Sequence, residues 1–396
     1  MSPLEPLEAL PTASPSHGPA DLAIVMTGGG ARAAYQVGFL RCVARLFPEL
    51  RIPYVTGVSA GAINAALLAS HHGSFLQAVR ELSGLWSNLT VADVFRTDTR
   101  SLAMNVINWV RQLSSGGIGG HRLVRGLVDT QPLQSYLTEV LHAVDGELTG
   151  VQYNLDRERL RAVAISGTSY STGQSVTWIQ GNDVKLWQRP QRKPVATTMT
   201  VDHIMASAAL PLFFPAVNVD NGWYGDGGIR LVAPLSPAVH LGARRIMAIS
   251  TRYAASEAEA AEHTIYGYPP PAQVMGVLMN SIFLDLLDHD AVRLERLNQL
   301  IDDLPGESRR GLKRVRLLTL RPSADLGKMA GLFESQLPRV FRFLTRGLGT
   351  KETRSPDFLS MVLFQPDYLS ALIEIGERDA QARAAEISVF LEAEDA

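Results

Sequence analysis

Cysteine is almost absent from this chain. Cys42 is the only one among 396 residues, which excludes intrachain disulfides and cysteine-rich zinc sites and fits a reducing compartment. Neither charge sign is in excess: 37 Lys and Arg stand against 39 Asp and Glu, for a formal net charge of −2. No global basic field is available to recruit nucleic acid, so affinity for a membrane or an anion must come from local patches. Long hydrophobic runs are missing too. A spanning helix needs about 18 apolar residues in a row, and the best window, Ala272 to Leu287, is interrupted by Asn280, Ser281 and Asp285. The first twenty residues are proline-rich, with two glutamates and no Lys or Arg. They lack both the charged region and the apolar stretch of a signal peptide and read as a disordered tail, residues 1–20. The expected location is cytoplasmic, with any membrane contact peripheral.

Apolar residues are plentiful, at 46%, enough to fill one large α/β domain with an appendage, or two domains. "DLAIVMTGGGARAAYQVGFL", Asp21 to Leu40, reads as a buried strand, a glycine turn and a helix. A second such unit follows, with a strand at Tyr54 to Thr56, the turn Gly57-Val58-Ser59-Ala60-Gly61, and a helix of small residues from Ala60 to Ser70. Further buried strands are expected at Leu160 to Ser166, Arg245 to Ser250 and Val315 to Leu320. Asn221-Gly222 signals a type I′ hairpin that places Asp226 just beyond its returning strand. Thr97 to Gly120 is a glycine-bearing insertion that reads as a mobile cover. After Pro322 the pattern is helical, with a basic amphipathic piece from Gly331 to Leu348 and a last helix from Asp367 to about Leu391.

The Gly57 to Gly61 turn fits the G-x-S-x-G nucleophile elbow, strand before and helix after, which exposes a serine Oγ at a helix N-terminus. The same residues also suit a serine N-cap between two packing glycines. Gly28, Gly30 and Ala33 match the G-x-G-x-x-[GA] dinucleotide template. That template needs an acidic residue about 20 positions on, at the end of the second strand, where this chain has the serine elbow. Parallel neighbouring strands would instead set the amides of Gly28, Gly29 and Gly30 beside Ser59 as an oxyanion hole.

A serine needs a base. The histidines downstream of Asp226, namely His240, His263 and His289, fall in segments that read as helices, and none is well placed. Asp226-Gly227-Gly228 is the better candidate, because burial would raise the basicity of its carboxylate, with Trp223 and Tyr224 as possible apolar neighbours. A plain Asp-Gly turn is the competing explanation. Arg32 opposes the macrodipole of the helix it opens, so helix stability does not account for it. It either orients the glycine loop, meets a phosphate, or snorkels to solvent.

With Gly28-Gly29-Gly30-Ala31-Arg32, Gly57-Val58-Ser59-Ala60-Gly61 and Asp226-Gly227-Gly228 in this order, the chain resembles the patatin-like phospholipase family. The likeness also takes in "MASAALPLFFPAV" at Met205 to Val217 and "APLSPAVHLGA" at Ala233 to Ala243, and so runs roughly from Asp21 to Leu320. It implies a parallel-sheet, three-layer α/β/α fold and a Ser59 and Asp226 dyad without histidine. Gly28, Gly29 and Gly30 would form the oxyanion hole, with Arg32, Gly57, Gly61, Gly227 and Gly228 in support. One departure stands at Ala33, where the family usually has glycine. The division implied is a tail at 1–20, a catalytic domain at 21–322 and a C-terminal helical extension at 323–396. The expected activity is hydrolysis of lipid acyl esters through an acyl-enzyme, with no cofactor or metal, a transient membrane contact, no nucleic acid and no deducible protein partner. Acyl transfer to an alcohol on the same dyad, and a weakly active membrane-binding scaffold, are the alternatives.

Overall fold

A computed structural model describes residues 18–96, 126–187, 189–261, 268–305, 309, 311–337, 342 and 357–392. The tail up to residue 17, the expected cover at Thr97 to Gly120 and most of the basic piece beyond Leu337 lie outside the described residues. Among the described residues one nine-stranded sheet is built from β1 (Leu22–Met26), β2 (Tyr54–Val58), β3 (Ala162–Ser169), β4 (Ser175–Gly181), β5 (Arg192–Ala196), β6 (Val217–Val219), β7 (Gly222–Asp226), β8 (Arg245–Ile249) and β9 (Arg316–Leu320). Its main path runs β5-β4-β3-β2-β1-β8-β9. The five apolar runs anticipated from the sequence, β3, β2, β1, β8 and β9, form its parallel centre.

Alternation along each central strand feeds two cores. Leu22, Ile24 and Met26 of β1 join a large cluster on one face, while Ala23 and Val25 join a smaller one on the other. The large cluster is closed by α1 (Ala34–Leu46), α2 (Ala60–Ser70) and α3 (Phe75–Asn88). Further along the chain come α4 (Gln131–Val140), α5 (Thr149–Asp156), α6 (Val201–Ser207), α7 (Pro271–Phe283), α8 (Leu286–Asp303), α9 (Leu326–Phe333), α10 (Asp357–Val362), α11 (Pro366–Ala382) and α12 (Ala384–Glu392). Leu287 and Ala291 of α8 cover the smaller cluster. The architecture is therefore three layers, helices on both faces of a mostly parallel sheet. Among the described residues no helix is long and apolar enough to cross a membrane.

Register decides where the loops meet. Met26 pairs with Gly57 on one side and Ile249 on the other, so β2, β1 and β8 end level. The chain leaving each strand emerges at one edge, which in open α/β sheets is the carboxyl-end crevice where ligands bind.

Four expectations shift. The hairpin turn is Asp220-Asn221, both with positive φ, and Val219 pairs with Gly222, so Gly222 already belongs to β7 and Asp226 is its last residue. Asp and Asn tolerate the left-handed conformation that a type I′ turn demands, which moves the turn one residue earlier. β4 and β5, which the apolar-run criterion passed over, extend the sheet beyond β3. The expected helix from Gly331 stops at Phe333, and after a short 3-10 turn Leu337 is extended, as the following Pro338 requires. The last helix is two, α11 and α12, broken at Arg383, whose guanidinium donates to the Thr319 carbonyl at 2.7 Å.

The C-terminal helices are part of the core. Gly38 of α1 lies against the Ile373 carbonyl and Gly376 of α11 against the Tyr35 carbonyl, so the two helices cross at backbone contact. Arg41 and Arg45 of α1 both pair with Glu377.

Candidate active site

Ser59 alone turns the chain from β2 into α2, at φ 56° and ψ −135°, a strained conformation for a residue with a side chain. Its Oγ donates to Asp226 Oδ2 at 2.6 Å. Its amide donates to Ser207 Oγ at 3.0 Å, and that hydroxyl donates onward to the Ser166 carbonyl at 2.6 Å, tying the elbow to α6 and β3.

Asp226 is fixed from every side. Its amide donates to the Ala209 carbonyl at 2.9 Å, its carbonyl accepts from Thr168 Oγ1 at 2.8 Å, and Oδ1 accepts from the Gly228 amide at 2.9 Å. The residue has no exposed surface. Burial pushes its carboxyl up to about 7, against the pull of the Ser59 hydroxyl and the Gly228 amide. Trp223 is not among the groups that bury it, being 44% exposed, and Tyr224 turns to stack edge-on with Trp178. Phe283 of α7 packs on Gly228 instead, and Gly227 lies against the Ser166 carbonyl.

The glycine loop sits where the level strand ends predict. A Cβ on Gly28 would stand 2.8 Å from the Ser59 Cβ, so the loop reaches the elbow only because that atom is missing. Gly30 has φ +58° and opens the 3-10 turn Gly30–Ala33 that leads into α1; the first amides of such a turn have no intrahelical acceptor. From below, Thr251, just beyond β8, donates its hydroxyl to the Gly28 carbonyl at 2.7 Å. Gly57 ends against the α2 backbone and Gly61 against the Met26 and Thr27 carbonyls, which lets β1 and α2 approach.

Arg32 is 3% exposed. Nε donates to Ser360 Oγ at 2.6 Å and Nη2 to Asp357 Oδ1 at 2.5 Å, both on α10. The snorkelling option fails, and of the other two the geometry shows a brace on the loop, with the guanidinium committed to protein partners. Beneath it runs a buried polar network. Asn64 joins Gln36 and the Trp86 indole, and Gln36 donates to the Thr27 carbonyl at 2.8 Å, so the base of the loop is held by satisfied groups.

One narrow cavity, about 40 Å³ of space that a water-sized sphere can enter, is lined by Gly29, Gly30, Ser59 and Asp226. Its other lining side chains are apolar or aromatic, among them Ile63, Trp86, Leu133, Phe214, Phe283, Met361, Val362 and Phe364. No histidine lines it among the described residues. His240 stacks on Trp187, and His203 lies against Trp178, where burial lowers its ring to about 4. The arrangement suits proton transfer from a serine to a carboxylate in a dry site shaped for hydrocarbon. Among the described residues no group of three or more His, Cys, Asp or Glu side chains could hold a metal ion.

Sequence reasoning missed Thr168, Ser207, Thr251, Asp357 and Ser360. Ser207 falls inside the Met205 to Val217 stretch, but nothing local marks its hydroxyl as the one beneath Ser59.

The family model described as patatin-like phospholipase matches residues 24–239. No curated protein matches the chain significantly in sequence. Among solved structures, VipD from Legionella pneumophila shares 12% identity at a TM-score of 0.35, over 89% of this chain and 67% of that one. Human GIVD cytosolic phospholipase A2, in complex with methyl gamma-linolenyl fluorophosphonate, shares 13% at a TM-score of 0.44, over 93% of this chain and 58% of that one. ExoU from Pseudomonas aeruginosa, in complex with SpcU, shares 17% at a TM-score of 0.27, over 59% of this chain and 44% of that one.

Proposed function

The chain belongs to the patatin-like phospholipase family, and from that premise we propose that it hydrolyses lipid acyl esters with Ser59 as nucleophile and Asp226 as base. The observation that carries this is the 2.6 Å bond from Ser59 Oγ to a fully buried carboxylate in an apolar cavity. Asp226, held near neutrality by burial, takes the serine proton as Oγ attacks the ester carbon. The amides of Gly28, Gly29 and Gly30 stabilise the oxyanion. Collapse of the tetrahedral species breaks the bond to the alcohol oxygen, which leaves with the proton from Asp226. Water, deprotonated by the same carboxylate, then cleaves the acyl-enzyme and frees Ser59.

A substrate that resides in a bilayer calls for contact with a membrane surface, and the basic piece read in the sequence from Gly331 to Leu348 offers Arg339, Arg342 and Arg346 as candidate contacts. Their reversal to glutamate is expected to weaken co-sedimentation with phosphatidylserine vesicles at low salt. The reaction is tested by mass spectrometry of products from a mixed lipid panel, comparing the wild type with Ser59→Ala. Free fatty acid from the wild type alone supports the reading; equal release by both proteins rejects it.

A further inference from the structure

Three residues that line the cavity with Ser59 come from the far end of the chain, beyond the 24–239 family match. Met361, Val362 and Phe364 line it from α10 and the turn after it, all nearly fully buried. Their placement is tied to the glycine loop at two levels. The Met361 carbonyl is pressed against Gly30, where any Cβ would collide with it. Asp357, at the start of α10, accepts from Arg32 on one oxygen and from Asn280 of α7 on the other, the latter at 2.8 Å.

We infer that α10 and its following turn are the acyl-chain selector of this protein. Met361, Val362 and Phe364 form the wall that sets how much hydrocarbon fits beside Ser59, and Asp357 is the positioning residue that holds the wall on the loop through Arg32. The inference rests on the hydrolase reading and adds its specificity determinant. Among the described residues every lining side chain of the cavity other than Ser59 and Asp226 is apolar or aromatic, so discrimination between chains must come from space and apolar contact. Each methylene admitted or expelled changes relative kcat/KM about fourfold, the equivalent of one buried CH₂. A wall that also carries the Gly30 contact couples its position to the site of chemistry, so loosening it alters selectivity and rate together.

The test is a kcat/KM profile over p-nitrophenyl esters from four to sixteen carbons. Phe364→Leu should move the optimum to longer chains and Val362→Phe to shorter ones, while Asp357→Asn should flatten the profile. Labelling of Ser59 by a short-chain fluorophosphonate reports that each variant has kept its site. Should Val362→Phe fail to label, the conservative Phe364→Leu carries the test alone. Profiles that keep the wild-type shape and differ only by a common factor overturn the selector. If the wild type neither turns over any ester nor labels at Ser59, the hydrolase reading itself has failed and the selector falls with it.

Discussion

One fully buried carboxylate and one part-buried one stand close to the same glycine loop, and what faces each of them differs. Asp357 faces the Arg32 guanidinium. Among the described residues no cation is bonded to Asp226, whose carboxylate accepts from a serine hydroxyl and one backbone amide. A carboxylate paired with arginine holds chain segments together through charge-assisted hydrogen bonds. One buried without a cation sits near its own midpoint and is able to exchange a proton at neutral pH. On the proposed reading the two aspartates thus divide structure from chemistry.

The contrast breaks most sharply at Asp226. Asp226→Asn and Ser59→Ala are each expected to lower ester turnover by about 10⁴-fold or more, with the double variant hardly worse than either single one. Steady-state kinetics and fluorophosphonate labelling measure both; substantial turnover by Asp226→Asn would remove the dyad. At Asp357 the expected loss is smaller, about 10²-fold for Asp357→Ala, because the reacting groups remain and only the loop shifts. Arg32→Met, which strands Asp357 without its cation, should also lower the denaturation midpoint in urea, and Arg32→Met/Asp357→Asn should recover part of that loss.

Proton exchange at Asp226 makes a third, tenfold prediction. With its carboxyl near 7, kcat/KM should rise about tenfold from pH 6 to pH 8 and level off above. Stability runs the other way. The folded carboxyl lies above its usual 3.8, so between about pH 4 and 7 the fold keeps a proton that the unfolded chain has released, and stability falls as pH rises through that window. Asp226→Asn should abolish this fall, leaving the inactive variant as stable as wild type near pH 4 and more stable at pH 8. A flat kcat/KM profile together with a wild-type fall in Asp226→Asn would show that some other group titrates.

The smallest expected effect sharpens the same point. His240→Ala and His203→Ala should change Ser59 labelling by no more than about twofold, since neither ring lines the cavity. A single histidine substitution that abolished labelling in a folded protein would restore an ordinary triad.

Legibility followed sequence distance. The elbow was readable because strand, turn and helix are consecutive, and the glycine loop because its three residues are. The Asp220-Asn221 hairpin was readable to within one position, the margin left by two residues that both accept positive φ. The antiparallel pairing of β7 with β3, which brings Asp226 opposite Gly167, has no local sign. Neither has the bond from Arg32 to Asp357, 325 residues further on. The sequence pattern marked Arg32 as unexplained by its own helix, and only its partner said why.

Sequence by itself determined the parallel centre of the sheet, the strained serine turn, the glycine loop and the aspartate that ends β7, because each rests on local rules of burial period, turn conformation and chain order. Tertiary structure decided what joined them. The level ends of β2, β1 and β8 set Ser59, Gly28 and Thr251 side by side, and burial turned Asp226 from a turn residue into one able to hold a proton at pH 7. The C-terminal segment became a wall of the cavity for the same reason: desolvation and packing depend on everything that surrounds a group, and most of what surrounds these groups is distant in the chain.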